Sequence, residues 1–75
     1  ELNVYPNPAT ENATVTWNGE EVQKVVLMTI TGQKIQTIEA VNLQKVELTG
    51  VAQGEYFVKL YTVNGQELVR KVIFI

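Results

Sequence analysis

Apolar residues recur at every second position along short stretches of this chain, and glycine, proline or clustered polar residues separate one stretch from the next. That period puts alternate side chains on opposite faces, the mark of a half-buried β-strand. Ala13-Thr14-Val15-Thr16-Trp17 is the cleanest case, with Ala13, Val15 and Trp17 directed to a core and both threonines directed outward. Leu2-Asn3-Val4-Tyr5 is a shorter run of the same kind. Pro6-Asn7-Pro8 then removes two amide donors and imposes an extended path, so pairing is expected to stop there. Thr10-Glu11-Asn12 and Asn18-Gly19 read as turns. Val22–Thr29 is a third strand with Val25 and Leu27 inward; Val26 and Met28 on its other face place it centrally in a sheet or under a loop. Gln33–Ile38 and Leu43–Leu48 follow, the latter with Val46 and Leu48 inward. Gly50 to Gly54 is a glycine-punctuated crossover into a long hairpin that occupies the rest of the chain. Seven strands, turn signals roughly every 8–12 residues and no helix-period segment predict an all-β fold. The expected architecture is an immunoglobulin-like seven-stranded antiparallel β-sandwich, with a small barrel as the alternative.

The hairpin from Gly54 to Ile75 has an echo upstream. Leu27-Met28-Thr29-Ile30-Thr31-Gly32-Gln33-Lys34-Ile35 and Leu60-Tyr61-Thr62-Val63-Asn64-Gly65-Gln66-Glu67-Leu68 share the pattern L-x-T-[I/V]-x-G-Q-x-[I/L]. A two-residue type I′ loop needs positive φ at both central positions, which β-branched Thr31 resists. A three-residue loop closed by a left-handed glycine needs it only at Gly32 and, in the copy, at Gly65. That loop sets Thr62 against Gln66, Leu60 against Leu68, Val58 against Arg70 and Tyr56 against Val72. Upstream it sets Leu27 against Ile35 and Val25 against Thr37. The register gathers Tyr56, Val58, Leu60, Leu68, Val72 and Phe74 on one face; Phe57, Lys59, Tyr61, Glu67, Val69, Lys71 and Ile73 form a mixed second face. Arg70 is turned inward, so its guanidinium is expected to snorkel to the rim or meet a carboxylate.

Composition narrows the chemistry more than it adds to it. Seventy-five residues make one small domain, spanning 1–75, that buries roughly 60–65% of its unfolded surface. The chain has no cysteine, histidine, aspartate or serine, so the usual general base, the thiolate and serine nucleophiles and most metal-ligand sets are missing. Glu20-Glu21 reads as a solvated loop, and Gly50-x-x-x-Gly54 lacks the residues that make a phosphate loop. No catalytic, cofactor-binding or metal-binding residue is expected, and no enzymatic activity. Net charge is −2 with scattered Lys and Arg, which gives no nucleic-acid footprint. No apolar run reaches the length of a membrane helix and no signal-peptide pattern opens the chain. Glu1 is already strand-like, so the chain is read as the tail of a longer protein.

Three features have a functional reading beside a structural one. Asn12-Ala13-Thr14 is formally a glycosylation sequon of a kind that arises by chance. Trp17 is either a sugar-stacking platform or, at the inward position of its strand, a core residue. Phe57, Tyr61, Val69 and Ile73 form either a docking surface, through which two copies would also pair, or a face covered by another segment.

Tyr5-Pro6-Asn7-Pro8 resembles the Y-P-N-P opening of type IX secretion C-terminal sorting domains (type A), and Val25 to Ile35 is similar to that family's strand-turn-G-[QKR]-x-[VI] segment. Val46 to Leu60 resembles its [VI]-x-L-x-x-L-x-x-G-x-Y-x-[VI]-x-[VIL] block, which contains Gly54 and Tyr56, with Val51 where leucine is commoner. Arg70-Lys71-Val72-Ile73 resembles its basic, then β-branched, terminus, so the likeness runs from Leu2 to Ile75. The resemblance implies a secretion signal of Bacteroidetes cargo proteins, read by the type IX outer-membrane translocon after transit of the periplasm. A sortase-like protease then usually removes the tail and attaches the cargo, fused N-terminally, to the cell surface. On that expectation the recognised residues are Lys71, Val72, Ile73, Phe74 and Ile75, while Tyr5, Pro6, Asn7, Pro8, Gly32, Gly54, Tyr56 and Gly65 are structural members of the motifs. The competing reading is an adhesive or carbohydrate-binding sandwich with Trp17 and Tyr61 as its best residues.

Overall fold

A computed structural model describes all residues, Glu1–Ile75. The seven strands are β1 (Leu2–Tyr5), β2 (Ala13–Trp17), β3 (Val22–Thr29), β4 (Lys34–Glu39), β5 (Lys45–Leu48), β6 (Gly54–Thr62) and β7 (Glu67–Phe74). They form two antiparallel sheets, one in the order β1-β2-β5 and the other β4-β3-β6-β7. The chain crosses between sheets from β2 to β3, from β4 to β5 and from β5 to β6. The pairs β2–β5 and β3–β6 therefore interlock in a Greek key, as in an immunoglobulin-like sandwich. The sheets do not close into a barrel, since they are bridged only beside β7 and the edges of β5 and β4 stay unpaired.

The alternation read from the sequence is what each sheet turns inward. Ala13, Val15 and Trp17 of β2 lie opposite Val25 and Leu27 of β3, Val58 and Leu60 of β6, and Val72 and Phe74 of β7 in one buried cluster. Val26 is fully buried on the far side of β3, flanked by Thr37 and Lys59, because β3 is an interior strand. Each such fully buried Val, Leu or Phe contributes about 1.5–3 kcal/mol relative to exposure.

Both echoed turns close as expected. The Thr29 amide donates to Gln33 O at 2.8 Å and the Thr62 amide to Gln66 O at 2.9 Å. Gly32 and Gly65 have φ of 96° and 92°, while Thr31 and Asn64 stay at negative φ. The side chains repeat as well: Thr29 Oγ1 accepts from the Gln33 amide at 3.0 Å, and Thr62 Oγ1 from the Gln66 amide at 2.8 Å. The final hairpin has the expected register, with Tyr56 against Val72, Val58 against Arg70 and Leu60 against Leu68. Arg70 reaches the rim, exposed, and donates to the Val69 carbonyl at 3.2 Å rather than to a carboxylate.

Three expectations are corrected. Leu27 faces Gln36, not Ile35, and Val25 faces Ile38, not Thr37, because the register shifts by one residue between Leu27 and Met28. The bulge turns Ile38 toward the core, leaves Ile35 exposed and lets the Gln36 amide donate to Thr49 O at 2.9 Å. The fifth strand is shorter than Leu43–Leu48: Leu43 lies exposed in a turn, its amide bonded to Ala40 O at 3.0 Å. Finally, pairing does not end at Pro6-Asn7-Pro8. It leaves β2 and resumes on the edge of β7, where Ala9 bridges Phe74 in parallel.

Candidate functional site

The two ends of the chain meet along β7. In an antiparallel pair, alternate residues direct their backbone groups to the partner strand and the rest direct theirs away. Along β7 and the residue after it, Val72 and Phe74 belong to the set that faces β6, and Lys71, Ile73 and Ile75 to the set that faces out. The outward set is bonded by the segment after β1. The Ala9 amide donates to Ile73 O at 2.8 Å, and the Ile75 amide donates to Ala9 O at 2.7 Å. One step earlier the Asn7 side chain stands in for a peptide group, its Nδ2 donating to Lys71 O at 3.1 Å and its Oδ1 accepting from the Ile73 amide at 3.2 Å. Pro6 and Pro8 bring no amide of their own, and both preceding peptide bonds are cis. Ala9 is fully buried and part of the core, a role the sequence pattern does not signal.

The side chains of the last strand divide in the same way as its backbone. Val72 and Phe74 are sealed in the core, whereas Lys71, Ile73 and Ile75 are exposed, Ile75 at 65%. The Lys71 ammonium pairs with Glu55 at 2.8 Å. Gly54 and Tyr56 complete this end of the sandwich. Gly54 pairs with Phe74, the Tyr56 ring meets Phe74 edge-on at 5.6 Å, and the Tyr56 hydroxyl donates to Ala52 O at 2.7 Å. That last bond is the tyrosine corner of immunoglobulin-like sandwiches. A Cβ on Gly54, at φ 155°, would stand 3.4 Å from the same ring. Asn7, Gly54 and Tyr56 thus converge on the last strand; Gly32 shapes the β3–β4 turn, and Gly65 the β6–β7 turn at the opposite end, near the amino terminus.

On the outer face of the four-stranded sheet Phe57 and Tyr61 are half-buried, and Val69 and Ile73 are exposed. Lys59 bonds Glu67 at 2.9 Å, and that bond holds its ammonium above the usual lysine range against the opposing effect of partial desolvation. Lys24 and Lys59 both lie over the Tyr61 ring, 4.8 and 5.3 Å from its centre. Trp17 is 6% exposed and belongs to the core. Trp17 is therefore not available as a sugar platform. A shallow cleft of about 400 Å³ at the amino-terminal end is lined by Gly19, Glu20, Glu21, Gln44, Val63 and Asn64. Its side chains offer two carboxylates, from Glu20 and Glu21, and two carboxamides, from Gln44 and Asn64, with no hydroxyl or thiol. No three His, Cys, Asp or Glu side chains gather to hold a metal ion.

The chain is thus, in class, an immunoglobulin-like sandwich whose last strand is hydrogen-bonded on both edges near its end. Residues 3–75 match the family of secretion system C-terminal sorting domains, and the chain belongs to that family. It is a C-terminal sorting signal of type IX secretion, a family of sorting domains rather than of enzymes. Such a domain is fused to an N-terminal cargo, is recognised by the type IX machinery and directs export across the outer membrane. No curated protein matches the chain.

Proposed function

We propose that the chain is the tail of a longer secreted protein and that the type IX outer-membrane translocon reads it, folded, through the exposed side chains of its last strand. Lys71, Ile73 and Ile75 make the contact; Val72 and Phe74 hold the strand to the core so that the contact has a fixed shape. The cargo reaches the periplasm first, crosses the outer membrane on this signal, and a sortase-like protease then removes the tail and attaches the cargo at the cell surface. The domain itself is a ligand and a substrate, with no catalytic part. The observation that supports this reading is the partition of the last five residues, two fully buried in the core and three exposed beside one another.

Lys71→Ala combined with Ile73→Thr tests it. Both residues are exposed, so the domain should lose no more than about 1 kcal/mol, near twice the usual limit for one surface change. The same pair of changes in a full-length cargo should leave it uncleaved in the periplasm, read by fractionation and immunoblotting against the melting curve of the purified domain. Surface delivery at the unmodified level would remove the last strand from the recognition site. The outer face carrying Phe57, Tyr61, Val69 and Ile73 is where two copies would pair, and size-exclusion chromatography across a concentration series should show a shift toward twice the monomer mass. A constant monomer mass removes the dimer.

A further inference from the structure

The bonds that reach β7 from outside are selective. All four go to Lys71, Ile73 and Ile75, and none to Val72 or Phe74. This follows from strand geometry. On β7, a residue that turns its side chain to the outer face also turns its amide and carbonyl away from β6. The residues exposed to a receptor are therefore those that β6 leaves without a backbone hydrogen bond. Core packing and β6 hold Val72 and Phe74; the hydrogen bonds to the backbone of Ile73 and Ile75 come from Asn7 and Ala9. Terminal strands fray when one edge is unbonded.

We propose that the sorting determinant of this chain is a two-segment element, Asn7–Ala9 laid along Lys71–Ile75, in which Asn7 is the positioning residue that joins the two. The proposal rests on the reading of the last strand as the recognised element. Asn7 suits the task because its carboxamide carries one donor and one acceptor in the geometry of a peptide group, here between two prolines that supply no donor. Alanine removes both bonds. Aspartate keeps the acceptor for the Ile73 amide and places a carboxylate oxygen against the Lys71 carbonyl. Asn7 and Pro8 are exposed, as are Lys71, Ile73 and Ile75, and the hydrogen bonds set the two segments side by side, within reach of one receptor.

Hydrogen exchange on the unmodified chain tests the arrangement without any variant. The Ile73 and Ile75 amides should exchange at least about tenfold more slowly than those of Val69 and Lys71, which point out at the same edge beyond the reach of Asn7 and Ala9. Equal rates would overturn the proposal. In Asn7→Ala the Ile73 amide should accelerate by about tenfold or more while Val72 and Phe74 keep their protection. Delivery is then compared in a full-length cargo carrying Asn7→Ala, Asn7→Asp, Thr14→Ala or a deletion of Lys71–Ile75. Thr14 donates a side-chain hydrogen bond to Glu47 at 2.9 Å on the other sheet, so its loss controls for a small change in stability. Both Asn7 variants and the deletion should be retained in the periplasm, and Thr14→Ala should be delivered. Delivery of Asn7→Ala with retention of the deletion would overturn the two-segment element and leave the last-strand reading standing. Delivery of the deletion would overturn that reading itself. Retention of Thr14→Ala along with the rest would assign the defect to folding and overturn the positioning role.

Discussion

At the scale of the residue, the face on which a side chain falls decides what it does. Leu60 has no exposed surface and sits opposite Val25 on β3 and Leu68 on β7. Truncating it leaves a cavity that the flanking strands cannot close, so Leu60→Ala should cost about 2–5 kcal/mol in chemical denaturation. A loss under about 0.5 kcal/mol would mean that the site is not core. One position away, Tyr61 and Lys59 belong to a different chemistry, with the ring beneath two ammonium groups and Lys59 bonded to Glu67. Asn7 belongs to neither set. It is exposed and makes no packing contribution that a hydropathy pattern would register, yet its carboxamide completes the backbone bonding of a strand more than sixty positions away.

At the scale of the element, the two echoed turns carry the same instruction. Thr-x-x-Gly-Gln supplies a hydroxyl that accepts the glutamine amide and a glycine that takes the left-handed conformation. Gly65 has open space around a would-be Cβ, so Gly65→Ala isolates the conformational term. It should destabilise the domain by about 1 kcal/mol or more, measured by thermal unfolding, with no change in the β-sheet circular dichroism. These turns were legible because the constraint is local: Thr31 refuses one turn type, and the copy inherits the answer. The register of the final hairpin and the inward set of β2, β5, β6 and β7 followed from it and from simple alternation. The shift between β3 and β4 was not legible, since what favours it is remote: Ile38 gains the core and Gln36 reaches Thr49 on a loop of the other sheet. Nor was the segment along β7. Prolines announced the end of backbone pairing, which is true of β1 and β2, but nothing in a run of side chains says that an asparagine will donate and accept in place of the main chain. The exposed and buried sides of the last strand were visible in its alternation, and the segment laid along its edge was not.

At the scale of the whole molecule, charge and connectivity are both unevenly laid out. The four-stranded sheet carries five cations against three carboxylates, and the rest of the chain one lysine against five glutamates. The molecule therefore has a field with a direction despite a net charge of only −2, which orients its approach to a charged partner. Because β1 and the residues after it close against β7, no strand can leave without opening the core. Thermal unfolding should be a single cooperative transition, with coincident curves from circular dichroism and Trp17 fluorescence; separated midpoints would show that the two sheets come apart independently. The parallel run of Asn7–Ala9 beside β7 has a mechanical meaning too. The amino terminus leaves at one end of a body 32 Å long and the carboxyl terminus at the other. A cargo tugging on Glu1 while a receptor grips Ile75 would slide these two segments past each other lengthwise. Bonds that lie across the pull share the load and must break together, whereas a hairpin opened from its tip surrenders them singly. Under such a pull the bonds from Asn7 and Ala9 to Lys71, Ile73 and Ile75 would be loaded in shear.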